Sequence, residues 1–154
     1  MGGCDAAGNG DAAQGGLFDC RPILRVDDVA RSIAYYVGVL GFRLGWAWSD
    51  VEQRFLGPGD TAAPGFALVG VGPVQIMLCR NEQGAPGMWL HLDVHTARQL
   101  DAYHAAWSAR GARVVEAPSV RPWGTYEMRV EDLDRHVLRV SSPPPPSPQR
   151  EQRP

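Results

Sequence analysis

Residues 22–48 read PILRVDDVARSIAYYVGVLGFRLGWAW, and the spacing within this stretch decides the fold. Pro22–Val26 is a short apolar run that predicts a strand. Asp27-Asp28 caps the helix after it, because a carboxylate accepts the free N–H groups of a helix's first turn. Val29, Ile33, Tyr36, Val37 and Leu40 keep helical spacing, and Gly41 ends the helix. Phe42, Leu44, Trp46 and Trp48 then alternate with Arg43, Gly45 and Ala47, a period of two that predicts a second strand.

The same order continues outward. After a Gly/Pro-rich loop from Gly57 to Gly65, Phe66–Gly70 and Val74–Arg80 form a hairpin about Gly70-Val71-Gly72-Pro73. Trp89–Val94 is a further strand, and His95 or Thr96 begins a helix traced by Leu100, Tyr103, His104, Ala105 and Trp107 to Arg110. Gly111 stops it, and Arg113–Glu116, Thr125–Val130 and Val137–Val140 supply three more strands. The order βαβββ therefore occurs twice. Letter identity between the halves is slight, so the repeat lies in the order of elements.

The chain has 154 residues, 44% of them hydrophobic, which fits one globular domain and excludes wholesale disorder. All 15 cations are Arg, against 17 acidic residues. Residues 1–19 (Gly, Ala and Asn with three Asp) predict a disordered extension, and 142–154, with four consecutive prolines, a solvated polyproline tail. Residues 20–141 remain as the domain, in modules of about 20–82 and 86–141. Of the charges, 13 Arg and 13 acidic residues lie between Arg21 and Val140, a balance that argues against nucleic acid as a partner. No apolar run is long enough to span a membrane and no secretory signal is visible, so the expectation is a cytoplasmic protein without a membrane partner. Cys4, Cys20 and Cys79 are odd in number and scattered, which supports neither a disulfide framework nor a zinc knuckle.

Four motifs resemble one family. Arg25-Val26-Asp27-Asp28-Val29, running into Tyr35-Tyr36-Val37-Gly38-Val39-Leu40-Gly41-Phe42, is similar to the opening of vicinal oxygen chelate proteins. Arg110-Gly111-Ala112, Arg121-Pro122-Trp123-Gly124 and Val130-Glu131-Asp132-Leu133-Asp134-Arg135-His136 come after it in the family's order. That superfamily includes glyoxalase I, extradiol dioxygenases, fosfomycin-resistance transferases and bleomycin-resistance proteins. Leu133 and Arg135 stand where the family pattern has Pro and Gly, so the tight turn there is expected to change.

The resemblance implies an α+β fold of two tandem βαβββ modules, whose curved sheets form a cup with the helices on the convex side. Strand periodicity then assigns faces. Leu24 and Val26, Ile76 and Leu78, Leu90 and Leu92, and Leu138 and Val140 pack on the helices. Arg21, Ile23, Arg25, Gln75, Met77, Cys79, Trp89, His91, Asp93, Val137 and Arg139 face the cup. Trp46 shares a period-two face with Phe42 and Leu44, which leaves it open to two readings, core or cup lining.

The family's enzymes hold a divalent cation with His, Gln and Glu on four strands. Here the resemblance carries those positions onto Arg21, Met77, Trp89 and Arg139. Arg repels a cation, Trp offers no lone pair, and Met is a soft ligand suited to copper(I). A displaced set would have to be built on His91, Asp93 and Glu127. His95, His104 and His136 read as structural, and Cys79 as a buried inert thiol.

The reading is a metal-independent binding protein of the bleomycin-resistance type with no cofactor, sequestering a small aromatic antibiotic or metabolite. Trp46, Trp48, Trp89 and Trp123 offer flat surfaces, with His91, Met77, Arg21 and Arg139 beside them. The inward-facing Arg favour an anionic or neutral ligand. The resemblance further implies a homodimer whose chains complete each other's cups. Two alternatives stand beside it: a metal-dependent lyase or dioxygenase with the displaced ligand set, and a scaffold protein acting through its Pro-rich tail.

Overall fold

The computed structural model describes residues 19–146. The extension expected over 1–19 therefore falls outside the described residues except for Asp19, as does the tail from 147 onward. The first module runs β1 (Ile23–Arg25), α1 (Val29–Gly38), β2 (Arg43–Ser49), β3 (Arg54–Phe55), β4 (Phe66–Val71) and β5 (Val74–Cys79). The second runs β6 (Trp89–Asp93), α2 (Ala97–Ala109), β7 (Arg113–Val120), β8 (Tyr126–Glu131) and β9 (Val137–Ser142). The fold is α+β, with the βαβββ order present twice and one added two-residue strand, β3.

Each module makes its own sheet. The orders are β1-β5-β4-β2-β3 and β6-β9-β8-β7, so the first and last long strands of each module lie side by side and parallel. The helices begin where their caps dictate. Asp28 accepts the Arg31 N–H at 3.0 Å, and Thr96 forms a reciprocal capping box with Gln99. α1 ends at Gly38, earlier than its apolar spacing suggests, and the Phe42 N–H closes on the Tyr36 carbonyl at 2.9 Å.

β2 departs from simple alternation. Leu44 pairs with Val69 but Trp46 pairs with Leu68, so Gly45 is an extra residue, a β-bulge. A side chain there would press on Leu68, 3.1 Å from its Cδ2. The bulge inverts the faces of the strand. Phe42 lies in the core on the helix side, with Leu44 opposite the buried Val69, while Trp46 and Trp48 turn to the other face.

The helix-bearing sides of both sheets share one apolar cluster, from Leu24, Tyr36 and Leu78 to Leu100, Trp107, Met128 and Leu138. Polar ties accompany it. The Trp107 indole N–H donates to the Leu40 carbonyl at 2.9 Å, and the Tyr36 hydroxyl donates to Asp132 at 2.9 Å. Burial, followed by the Asp132 charge, pushes the Tyr36 hydroxyl well above its ordinary range. His136, fully buried, accepts the Met88 N–H on Nδ1 (3.0 Å), and its Nε2 lies 2.7 Å from the Arg25 carbonyl, which it can reach only as a donor. That pair of contacts fixes one neutral tautomer and binds the second module to the first. In the turn carrying it, Arg135 adopts the left-handed conformation (φ 65°) without being glycine. Among the described residues, no helix is long and apolar enough to cross a membrane.

Candidate functional site

Away from the helices, the two concave faces differ in chemistry. On the first sheet, register places Ile23, Met77, Leu68 and Trp46 in one row across the strands. The next row is Arg25, Cys79, Phe66, Trp48 and Phe55. Trp46 and Trp48 thus line the concave face, and the Gly45 bulge is the reason. Phe55 sets its edge between them, with centroids at 5.7 Å from Trp46 and 5.1 Å from Trp48. Phe66 lies tilted against Trp46 at 5.4 Å. These four rings, with Asp50, Cys79, Asn81 and Gln83, line a concavity of about 260 Å³. Cys79 is buried there and accepts the Asn81 N–H at 3.3 Å. Arg21, at the face's other end, is bound to Asp19 (2.6 Å) and to the Gln75 side chain.

The second concave face is a lattice of paired charges. Arg139 grips Glu127 with two donors, at 2.9 and 2.5 Å. Thr125 Oγ1 (2.5 Å) and the Trp123 indole N–H (2.9 Å) donate to the same carboxylate. Glu127 is fully buried, yet its carboxyl is held down to about 2, chiefly by the Arg139 hydrogen bonds against the opposing cost of burial. Arg121 and Arg129 share Glu116, and Arg113 pairs with Glu131 at 3.0 Å. The guanidinium of Arg129 lies 5.0 Å from the Trp89 ring centre, and that of Arg139 lies 5.5 Å from Trp123. His91 Nε2 is 3.0 Å from Asp93. Trp89 and Trp123 nonetheless remain 56% and 57% exposed among the described residues.

The residues singled out in the sequence accordingly fall into two groups. Trp46, Trp48, Met77 and Arg21 belong to the first face; Trp89, His91, Trp123 and Arg139 belong to the second. Among the described residues, no hydrogen bond or ion pair joins one concave face to the other; the links between modules run through the helices, the 132–136 turn and the linker. Phe55, Phe66, Asp50 and Arg129 join the site unforeseen. Only Phe66 left a signal, its place at the start of an apolar strand; the others depend on pairing between distant segments.

The positions onto which the resemblance carries the metal ligands do not suit a metal. Arg21 and Arg139 present guanidinium groups already engaged by carboxylates, and Trp89 presents an indole. In the displaced set, Glu127 spends both oxygens on Arg139, Thr125 and Trp123, while His91 and Asp93 bind each other. Among the described residues, no three His, Cys, Asp or Glu side chains converge as a ligand group.

A family model described as the Glyoxalase/Bleomycin resistance protein/Dioxygenase superfamily matches residues 20–140. Among solved structures the chain is similar to TioX from Micromonospora sp. ML1, at 20% identity over 82% of this chain and 100% of that one, with a TM-score of 0.62. It is also similar to a glyoxalase-related enzyme from Clostridium phytofermentans (16% identity, 83% and 96% coverage, TM-score 0.65). A genomically encoded fosfomycin resistance protein from Listeria monocytogenes shares the fold at 11% identity, with 83% and 94% coverage and a TM-score of 0.58. No curated protein sequence matches the chain.

Proposed function

The chain belongs to the glyoxalase/bleomycin resistance protein/dioxygenase superfamily, and within it we propose a metal-independent binding protein that sequesters a small aromatic compound. The observation that carries this reading is the filling of the family's metal positions. Arg21, Met77, Trp89 and Arg139 stand there, and the guanidinium groups are already neutralised by Asp19 and Glu127. A divalent cation would meet guanidinium, indole and thioether groups at these positions and would have to compete with Arg for the Asp19 and Glu127 carboxylates. What the concave faces do offer is aromatic area, with indoles, phenyl rings and a few fixed polar groups.

Two chains complete each site in this reading. A concavity of about 260 Å³ is below the roughly 300–1,000 Å³ usual for small-molecule sites. The exposed Trp89 and Trp123 are the natural opposite wall if the second face of a partner chain closes over the first. The ligand would then lie between an apolar aromatic wall and a wall of paired charges. Resistance proteins occur among the structural neighbours, and sequestration of an antibiotic is the form of the activity we favour.

The rival is a metal-dependent lyase or dioxygenase. Elemental analysis of protein purified without chelator separates the two. The binding reading predicts no stoichiometric Mn, Fe, Ni or Zn; a full equivalent of one of them, lost in His91→Ala, would establish the rival.

A further inference from the structure

We propose that the aromatic niche on the first sheet receives an ammonium group of the ligand, methylated or quaternary, with Asp50 as its counter-ion. This rests on reading the concave face as the binding surface and names the chemistry that surface selects.

The niche has the composition of a cation cage. Trp46, Trp48, Phe55 and Phe66 line it together, and the faces of aromatic rings are electronegative. Asp50 lines the same niche, two residues beyond Trp48, and brings a formal negative charge. Its side-chain partner is neutral: the Asn81 amide donates to Oδ2 at 2.5 Å. Among the described residues, Asp50 has no ion pair. Arg54, the cation nearest in sequence, is taken by Glu52 at 2.6 Å and Asp60 at 2.9 Å.

Gly65 makes the room. A Cβ at that position would lie 1.9 Å from Asp50 Oδ2, so any side chain there would expel the carboxylate from its place. The Gly65 backbone is not in the left-handed region, so the glycine serves space and not conformation. Across the cup, Arg113, Arg121, Arg129 and Arg139 are balanced in number by Glu116, Glu127, Glu131 and Asp93, so the second face brings little net field of its own. The expectation of an anionic or neutral ligand rested on Arg21, Arg25 and Arg139, of which Arg21 and Arg139 are engaged by carboxylates of this chain. Arg25 keeps no ion pair among the described residues, but it does not line the niche. The uncompensated charge among the aromatic rings is negative.

Three probes of similar size test this on the full chain by tryptophan fluorescence: benzyltrimethylammonium, its uncharged carbon isostere neopentylbenzene, and phenylacetate. The cation should bind at least tenfold more tightly than either of the others. Asp50→Asn, which keeps an acceptor for Asn81, should weaken the cation at least fivefold and leave the neutral probe within twofold. Equal binding of cation and isostere, tighter binding of phenylacetate, or an Asp50→Asn protein that holds the cation as well as wild type would overturn the inference and leave the binding reading standing. Binding of none of the three would overturn both.

Discussion

Arg139 lies against Glu127 with its Nε 2.9 Å from Oε2 and its Nη2 2.5 Å from Oε1, at the centre of the second concave face. That pair anchors the aromatic parts of the wall, since Glu127 also holds the Trp123 indole and Arg139 lies over the Trp123 ring.

The pair makes stability depend on acid. Glu127 is held at about 2 in the folded chain against an ordinary 4.5, so its contribution is complete above about pH 4.5 and is lost as pH falls toward 2. Asp132 acts in the opposite sense, because burial raises its carboxyl. Glu127→Gln should therefore remove part of the fall in denaturation midpoint between pH 4.5 and 2. A variant with the wild-type pH profile would show that the pair carries no such linkage.

If each cup joins the first face of one chain to the second face of another, defects in different faces should complement. Trp48→Ala and Trp89→Ala homodimers each have both cups damaged. Mixed and re-equilibrated, they form heterodimers with one cup carrying both defects and one intact. The expected outcome is partial recovery of wild-type affinity in the mixture. Cups built within single chains would show no recovery.

The sequence made the order of elements legible because each carries its own punctuation: Asp28 and Thr96 at helix starts, Gly41 and Gly111 after helix ends, and Gly72-Pro73 in the hairpin. Face assignments held where alternation is unbroken, as in β5 and β6. In β2 alternation left Trp46 open to two readings, and one glycine, by reversing the strand, decides for the cup. A glycine inside an alternating run is itself a bulge signal, and Gly45 could have been read that way. The Glu127 hub could not: its partners Trp123, Thr125 and Arg139 come from a turn and a neighbouring strand, and only pairing reveals which charges cancel. Phe55 was hidden in a two-residue strand ahead of the Gly/Pro-rich loop, too short to show any periodicity.

The linker between modules offers a sharp test of packing. Gly84 has φ 76°, and a Cβ on it would lie 2.3 Å from the Ile23 carbonyl oxygen. Left-handed strain of about 1–2 kcal/mol and an overpacking cost of about 1–3 kcal/mol should together make Gly84→Ala about 2–5 kcal/mol less stable in chemical denaturation. A change under about 0.5 kcal/mol, the range of ordinary surface substitutions, would mean that the linker does not lie against β1.

Arg135 offers the converse. It holds φ 65° without being glycine, so Arg135→Gly should relieve about 1–2 kcal/mol of strain and lose about 0.5–1 kcal/mol to added backbone freedom. A net gain of roughly 0–1.5 kcal/mol in stability is expected, and a loss would contradict the turn geometry.

Tryptophan fluorescence of chelator-dialysed protein, titrated with planar aromatic compounds before and after adding Mn, Fe, Ni or Zn, addresses the central claim most directly. The account predicts saturable quenching at one ligand per chain, unchanged by metal and weakened at least tenfold in Trp89→Ala. Binding or turnover that appears only after a metal is added, or a well-folded Trp89→Ala protein with wild-type affinity for every compound, would contradict it.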